Sequence, residues 1–135
     1  MDGISMVLRA DPASLSVVRE RIRRWLAALR WPGEEIDDIV MATNEAVSSA
    51  VAHAVAGNLH TEIRVAGRSF AELDGCRRVI VGVAGDGRWE PEPSHPQLRQ
   101  FGLMLLHTCM DSVETSREDG ATTVLMTSVK VPPLP

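Results

Sequence analysis

Lysine is almost missing from this chain. Of 135 residues only Lys130 is a lysine, which sets aside most lysine-based covalent chemistry before any is proposed. A basic footprint is missing as well. The formal net charge is −4 and the pI about 5.5, so direct nucleic-acid binding is not expected. No apolar run is long enough to span a membrane. Asp2 and Arg9 interrupt any N-terminal stretch of signal-peptide type. Cysteine is scarce: Cys76 and Cys109 stand alone, without metal-ligand spacing. They read as small, reduced hydrophobic residues of a cytoplasmic protein. No Ser-His-Asp series stands out either. What remains, 44% hydrophobic and 24% charged residues, suits one globular domain over 1–135 with a single core. No repeat or linker divides it.

What is present is organised around one stretch, Glu34 to Ala56. Ile36, Ile39, Val40, Val47, Ala50, Val51 and Ala54 recur at helical spacing and form a core-facing stripe. Glu45, Ser49 and His53 stand four apart on another ridge, with Ser48 beside them. Such a ridge is either a solvated face or the lining of a site.

The remaining segments fall into order around it. Ile4–Arg9 reads as a strand. Asp11-Pro12 reads as a cap and first turn for a helix carrying Leu15, Val18, Ile22, Trp25 and Leu29. Arg19, Arg21, Arg23 and Arg24 take its outer side, as a solvated face or a partner surface. Trp31-Pro32-Gly33 ends this helix, and Gly57 closes the next. Thr61–Ala66 alternates as a half-buried strand, with Gly67–Cys76 as a hairpin connection. Arg78–Ala84 is a nearly continuous apolar strand, hence central. Glu90–Pro96 is too proline-rich for helix or central strand. Gln97–Met110 resumes a helical pattern. Val113–Ser116 and Thr122–Val129 are strands joined at Glu118-Asp119-Gly120, and the tail 131–135 frays. The order βααββαββ predicts an α+β two-layer sandwich: a mixed, mostly antiparallel sheet with its helices on one face.

Four stretches then carry a family resemblance: NEAVSSAVAHA at Asn44–Ala54, VAGDGRW at Val83–Trp89, FGLMLLHTCMDSVE at Phe101–Glu114 and GATTV at Gly120–Val124. In this order the chain resembles the histidine-kinase-like ATPase superfamily, with its Bergerat ATP-binding fold. Within it the chain is similar to the anti-sigma-factor serine/threonine kinases of bacteria.

The resemblance implies ATP and Mg²⁺ as cofactors and assigns roles by position. Glu45 falls where the family has its general base. Ser49 falls where an Asn ligates Mg²⁺, and a hydroxyl is a shorter oxygen ligand. His53 follows at the family's His position. Gly85 falls where an Asp accepts the adenine amino group, so the acceptor is missing. Asp86, one residue on, substitutes only if a bulge re-aims it. Gly87, Gly102, Leu103 and Thr122 complete the nucleotide-binding set, although Gln100 and Phe101 depart from the family's glycine-rich helix start. Trp89 reads as a hydrophobic cap on its loop.

Two functions follow from the resemblance. The first is a regulatory ATP-binding protein that binds a sigma factor and phosphorylates an anti-sigma antagonist, with Glu45 as base. The second is a non-catalytic module of the same fold that sequesters a sigma factor or other regulator without nucleotide. Gly85, Ser49 and Gln100 favour the second; Glu45, Gly87, Gly102 and Thr122 favour the first. A homodimer is a further expectation, because relatives of this type often form one.

Overall fold

The structure, a computed structural model, describes residues 3–91 and 99–135, with 99–103 described through the backbone alone. Eight elements follow in the order β1 (Gly3–Arg9), α1 (Ser14–Ala28), α2 (Gly33–Ala56), β2 (Glu62–Ala71), β3 (Arg77–Asp86), α3 (Arg99–Cys109), β4 (Ser112–Glu118) and β5 (Ala121–Thr127). The strands form one sheet in the order β1-β2-β3-β5-β4, and every neighbouring pair is antiparallel. The expectation of a mixed sheet is thereby corrected to a wholly antiparallel one. Hairpins join β2 to β3 and β4 to β5, while α3 carries the chain from β3 past the place of β5 to β4, which runs parallel to β3 without pairing with it.

The core lies between the sheet and the helices. Val79, Val81 and Val83 of β3, Ile63 and Val65 of β2, and Val124 and Met126 of β5 are buried against them. All seven residues of the α2 stripe are buried too. Each fully buried Val or Ile is worth about 1.5–3 kcal/mol relative to exposure. Alanines 42, 46, 50 and 54 are buried along the same helix, and their small side chains let its backbone come close to its neighbours.

Several local expectations are redrawn. The first helix begins after a turn, not at Pro12: Asp11 accepts the Ala13 N–H at 2.8 Å through its carboxylate. Its end is set by Arg30, which adopts a left-handed conformation at φ 58. Trp31 N–H then bonds Leu26 O and Arg30 N–H bonds Ala27 O, the paired pattern of a Schellman stop. Helix α2 ends the same way on Asn58, with Leu59 N–H on Ala54 O, so Gly57 is not the left-handed residue. Arg77 secures the first of these ends. Its guanidinium donates to Leu29 O at 2.8 Å and lies 4.6 Å from the centroid of the Trp31 ring.

Strand β2 also runs to Ala71, through the glycine read as a hairpin connection. Gly67 is needed inside the strand because Trp25 of α1 lies against it; an added Cβ would come 2.8 Å from the indole. At the C-terminus, Val131 is buried and bridges Arg77, so the tail is held at its first residue rather than frayed there. No helix among the described residues is long and apolar enough to cross a membrane.

The contact at Gly67 sets a prediction. An alanine in place of a strand glycine ordinarily stabilises, by about 0.4–1 kcal/mol, through the unfolded chain. Here overpacking on Trp25 outweighs that gain, and Gly67→Ala should cost about 1–3 kcal/mol. The urea midpoint should therefore fall; a rise would show that Trp25 yields without cost.

Candidate functional site

The ridge proposed on α2 exists. Glu45, Ser48 and His53 are half-buried and Ser49 is buried. The Ser49 hydroxyl donates to Glu45 O of its own helix at 3.0 Å, a back-bonded arrangement common for a serine inside a helix. Burial pushes the Glu45 carboxyl above the ordinary glutamate range, because the charged form loses water contacts.

Opposite the ridge is the end of β3 and the turn that follows. Gly85 is buried and faces α2: an added Cβ would stand 3.4 Å from the Ala50 methyl and 3.3 Å from the Trp89 indole nitrogen. Trp89 is the residue that fills this corner. It is buried at 3% exposure, and its indole N–H donates to Gly85 O at 3.2 Å. Thr122 of β5, fully buried, ties the turn together. Its hydroxyl donates to Gly87 O at 2.7 Å and accepts the Trp89 backbone N–H at 3.3 Å. Gly87 has φ +85, its N–H donates to Gly120 O at 2.7 Å, and a Cβ there would overlap the His53 ring at Nε2. Only glycine combines that dihedral with that contact. Arg117 closes the loop from outside, donating to Trp89 O at 3.1 Å and pairing with Glu90.

Glu45, Ser49 and His53 thus share one ridge, and His53 meets Gly87 at the Gly85–Trp89–Thr122 corner. Asp86 is not brought to it. The β3–β5 register runs without interruption through Gly85–Thr122 and Asp86–Ala121, so no bulge re-aims Asp86, and it is exposed on the opposite face of the sheet. There it borders a hollow of about 240 Å³ with His60, Glu62 and Arg64. Gly102 and Leu103 lie within α3, and their side chains fall outside the described residues, as does Pro-rich 92–96. No group of three or more His, Cys, Asp or Glu among the described residues is placed to hold a metal. Trp89 fulfils its reading as a loop cap. Its fit to Gly85 had no separate signal, because neither residue alone announces the other, and Arg117 had none at all.

Two of the four arginines of the α1 run meet carboxylates, and a third meets a neutral amide. Arg19 donates to Asn44 at 2.8 Å, Arg23 pairs with Asp37 at 2.7 Å and Arg24 with Glu20 at 2.5 Å. That favours a solvated face over a partner surface for Arg23 and Arg24. Such exposed pairs are each worth about 0–1 kcal/mol.

Comparison with known proteins gives the family. The family description "Histidine kinase-like ATPase domain" matches residues 8–128. The serine-protein kinase RsbW of Bacillus subtilis is 26% identical, over 92% of this chain and 84% of that protein. RsbW of Staphylococcus epidermidis is 27% identical, over 96% and 88%. Among solved structures, the RsbU and RsbW domains of Rv1364c from Mycobacterium tuberculosis match with a TM-score of 0.73 and 25% identity. That match covers 98% of this chain but only 34% of the longer one.

The position of Glu45 gives a pH-dependent expectation. Its folded carboxyl sits above the unfolded value, so its contribution is most favourable at low pH and is lost as pH rises through the folded value. Glu45→Gln removes that penalty. The variant should melt higher than the parent near neutral pH, and the advantage should fade below about pH 4. Calorimetric melting across a pH series checks this; an equal gain at every pH would trace it to something other than the carboxylate charge.

Proposed function

The chain belongs to the histidine kinase-like ATPase domain family, and from that premise we propose that it is a regulator of the anti-sigma type that acts by holding a protein partner. The partner is a sigma factor or an antagonist of anti-sigma factors. In this reading the family's nucleotide site is closed. The observation that carries it is the corner where Trp89 packs against Gly85, with Thr122 already bonded to Gly87 O and the Trp89 N–H.

The residues present do not fit a magnesium nucleotide well. Gly85 offers no carboxylate to a base. Loss of a hydrogen bond to a charged acceptor costs about 1.5–3 kcal/mol, or roughly tenfold to a hundredfold in affinity. The Ser49 hydroxyl donates into its own helix and is shorter than the amide it replaces. Restoring Asp at 85 alone is not enough, since its Cβ would press on the Trp89 indole and the Ala50 methyl.

One observation favours the second reading, a serine-protein kinase like the named relatives. Glu45 is retained on the ridge with its carboxyl held above the usual range, which suits a proton acceptor better than an ordinary surface glutamate does. In that reading Glu45 is the base and Ser49 the metal ligand.

Thermal melting with and without millimolar MgATP separates the two. A ligand at a hundred times its Kd would add about 2.7 kcal/mol to stability. The parent chain should show no shift. The triple variant Ser49→Asn, Gly85→Asp, Trp89→Ala should acquire one. A shift in the parent, or transfer of a phosphoryl group to an antagonist protein seen by intact mass, would overturn the closed-site reading.

A further inference from the structure

The sheet face turned away from the helices holds a hollow of about 820 Å³. The register explains its shape. Ser5, Ala66, Gly82 and Leu125 stand level with one another on β1, β2, β3 and β5. The first three are small and leave a trough across three strands, roughly 10 Å from the outer strand to the inner one. Leu125, 39% exposed, stands at the inner end, and Ile80 of β3 forms one wall. The other end opens at β1, an edge strand. Two guanidiniums flank that mouth. Arg68 of β2 is level with Gly3 of β1, and Arg21 comes from α1. Both are exposed, and neither has an ion-pair or hydrogen-bond partner among the described residues. No acidic residue lines the hollow among the described residues.

Gly82 is the residue that packing does not explain. A glycine inside a strand weakens it. Gly67 and Gly87 have reasons in the Trp25 and His53 rings. Gly82 has none: its φ is not left-handed, and an added Cβ would meet Leu125 at 3.5 Å, an ordinary contact. A strand glycine of this kind marks a place where something comes close to the backbone.

We infer that the hollow binds a medium-chain carboxylate. Its head lies between Arg21 and Arg68, and its alkyl chain lies over Ala66 and Gly82 against Ile80 and Leu125. A guanidinium fork matches a carboxylate oxygen pair. Beyond the two arginines the only polar side chain in the lining is Ser5, so the rest of the ligand is apolar. The volume lies in the ordinary range of small-molecule sites. The ridge of α2 lies on the other side of the sheet, so the inference stands apart from both readings of that ridge.

Titration calorimetry of the full chain with octanoate tests it. Octanoate should bind at least about tenfold more tightly than butanoate, because each methylene taken out of water is worth about fourfold. Octanol keeps the chain and loses the charge, and should bind at least about tenfold more weakly than octanoate. Arg21→Gln and Arg68→Gln should each weaken octanoate at least about fivefold. Gly82→Val fills the trough and should remove the preference for the longer chain. Arg24→Gln, at a paired arginine of α1, should change nothing. Melting checks that each variant is folded; where Gly82→Val is not, the exposed substitution Arg68→Gln decides. Equal affinity for octanoate and butanoate, octanol as tight as octanoate, or indifference to both arginine changes would overturn the proposal. So would a titration without heat, the result if a peptide segment or a second copy of the chain fills the hollow instead.

Discussion

The packing of α2 onto the sheet is the constraint that everything else obeys. This helix touches α1, α3, β2 and β3, so it serves as the spine between the two layers. Eleven of its 24 residues are buried. Four of these are alanines, and small side chains bring the ridge of Glu45, Ser49 and His53 close to the end of β3. That closeness has a consequence at Gly85 and Gly87. The strand end and the turn after it lie so near the helix that only residues without a Cβ fit there comfortably.

The polar groups near this seam follow from the same closeness. A buried donor or acceptor without a partner costs about 1–3 kcal/mol, so groups that meet no ligand tend to find one another. Thr122 bridges Gly87 O and the Trp89 N–H, and the Trp89 indole N–H reaches Gly85 O. Each bond occupies a group that could otherwise meet a ligand. Gly85 and Trp89 form a close pair: a Cβ at 85 would stand 3.3 Å from the indole nitrogen, so the ring would have to give by a few tenths of an ångström.

Much of this was legible in the sequence, and the reasons differ by level. The helical stripe of α2 and the apolar run of β3 are long, periodic signals, so their existence and limits were readable to within a few residues. The βααββαββ order followed from them. Helix ends were less legible, because Arg30 and Asn58 adopt the left-handed conformation that glycine normally supplies. Gly67 was misread as a turn because its reason, the Trp25 ring, comes from 42 positions earlier in the chain. The site residues of α2 were legible as a ridge. The corner was not, since whether Trp89 caps a loop or fills a seam depends on strand register. Asp86 shows the same limit: its side of the sheet is decided by an uninterrupted ladder, which no local pattern reveals.

A closed corner also bears on how such a protein could be regulated. A ligand shifts an equilibrium only by the difference in its affinity for two states. The turn from Gly87 to Glu90 is held by Thr122, by the Trp89 indole, by Gly120 and by Arg117. To admit a base beside Gly85, the Trp89 ring would have to leave, exposing its apolar area and breaking its bond to Gly85 O. That cost would be subtracted from any nucleotide affinity, on top of the missing carboxylate. Under the closed-site reading proposed above, partner binding on this scaffold is set by concentration and by surface chemistry rather than by nucleotide state.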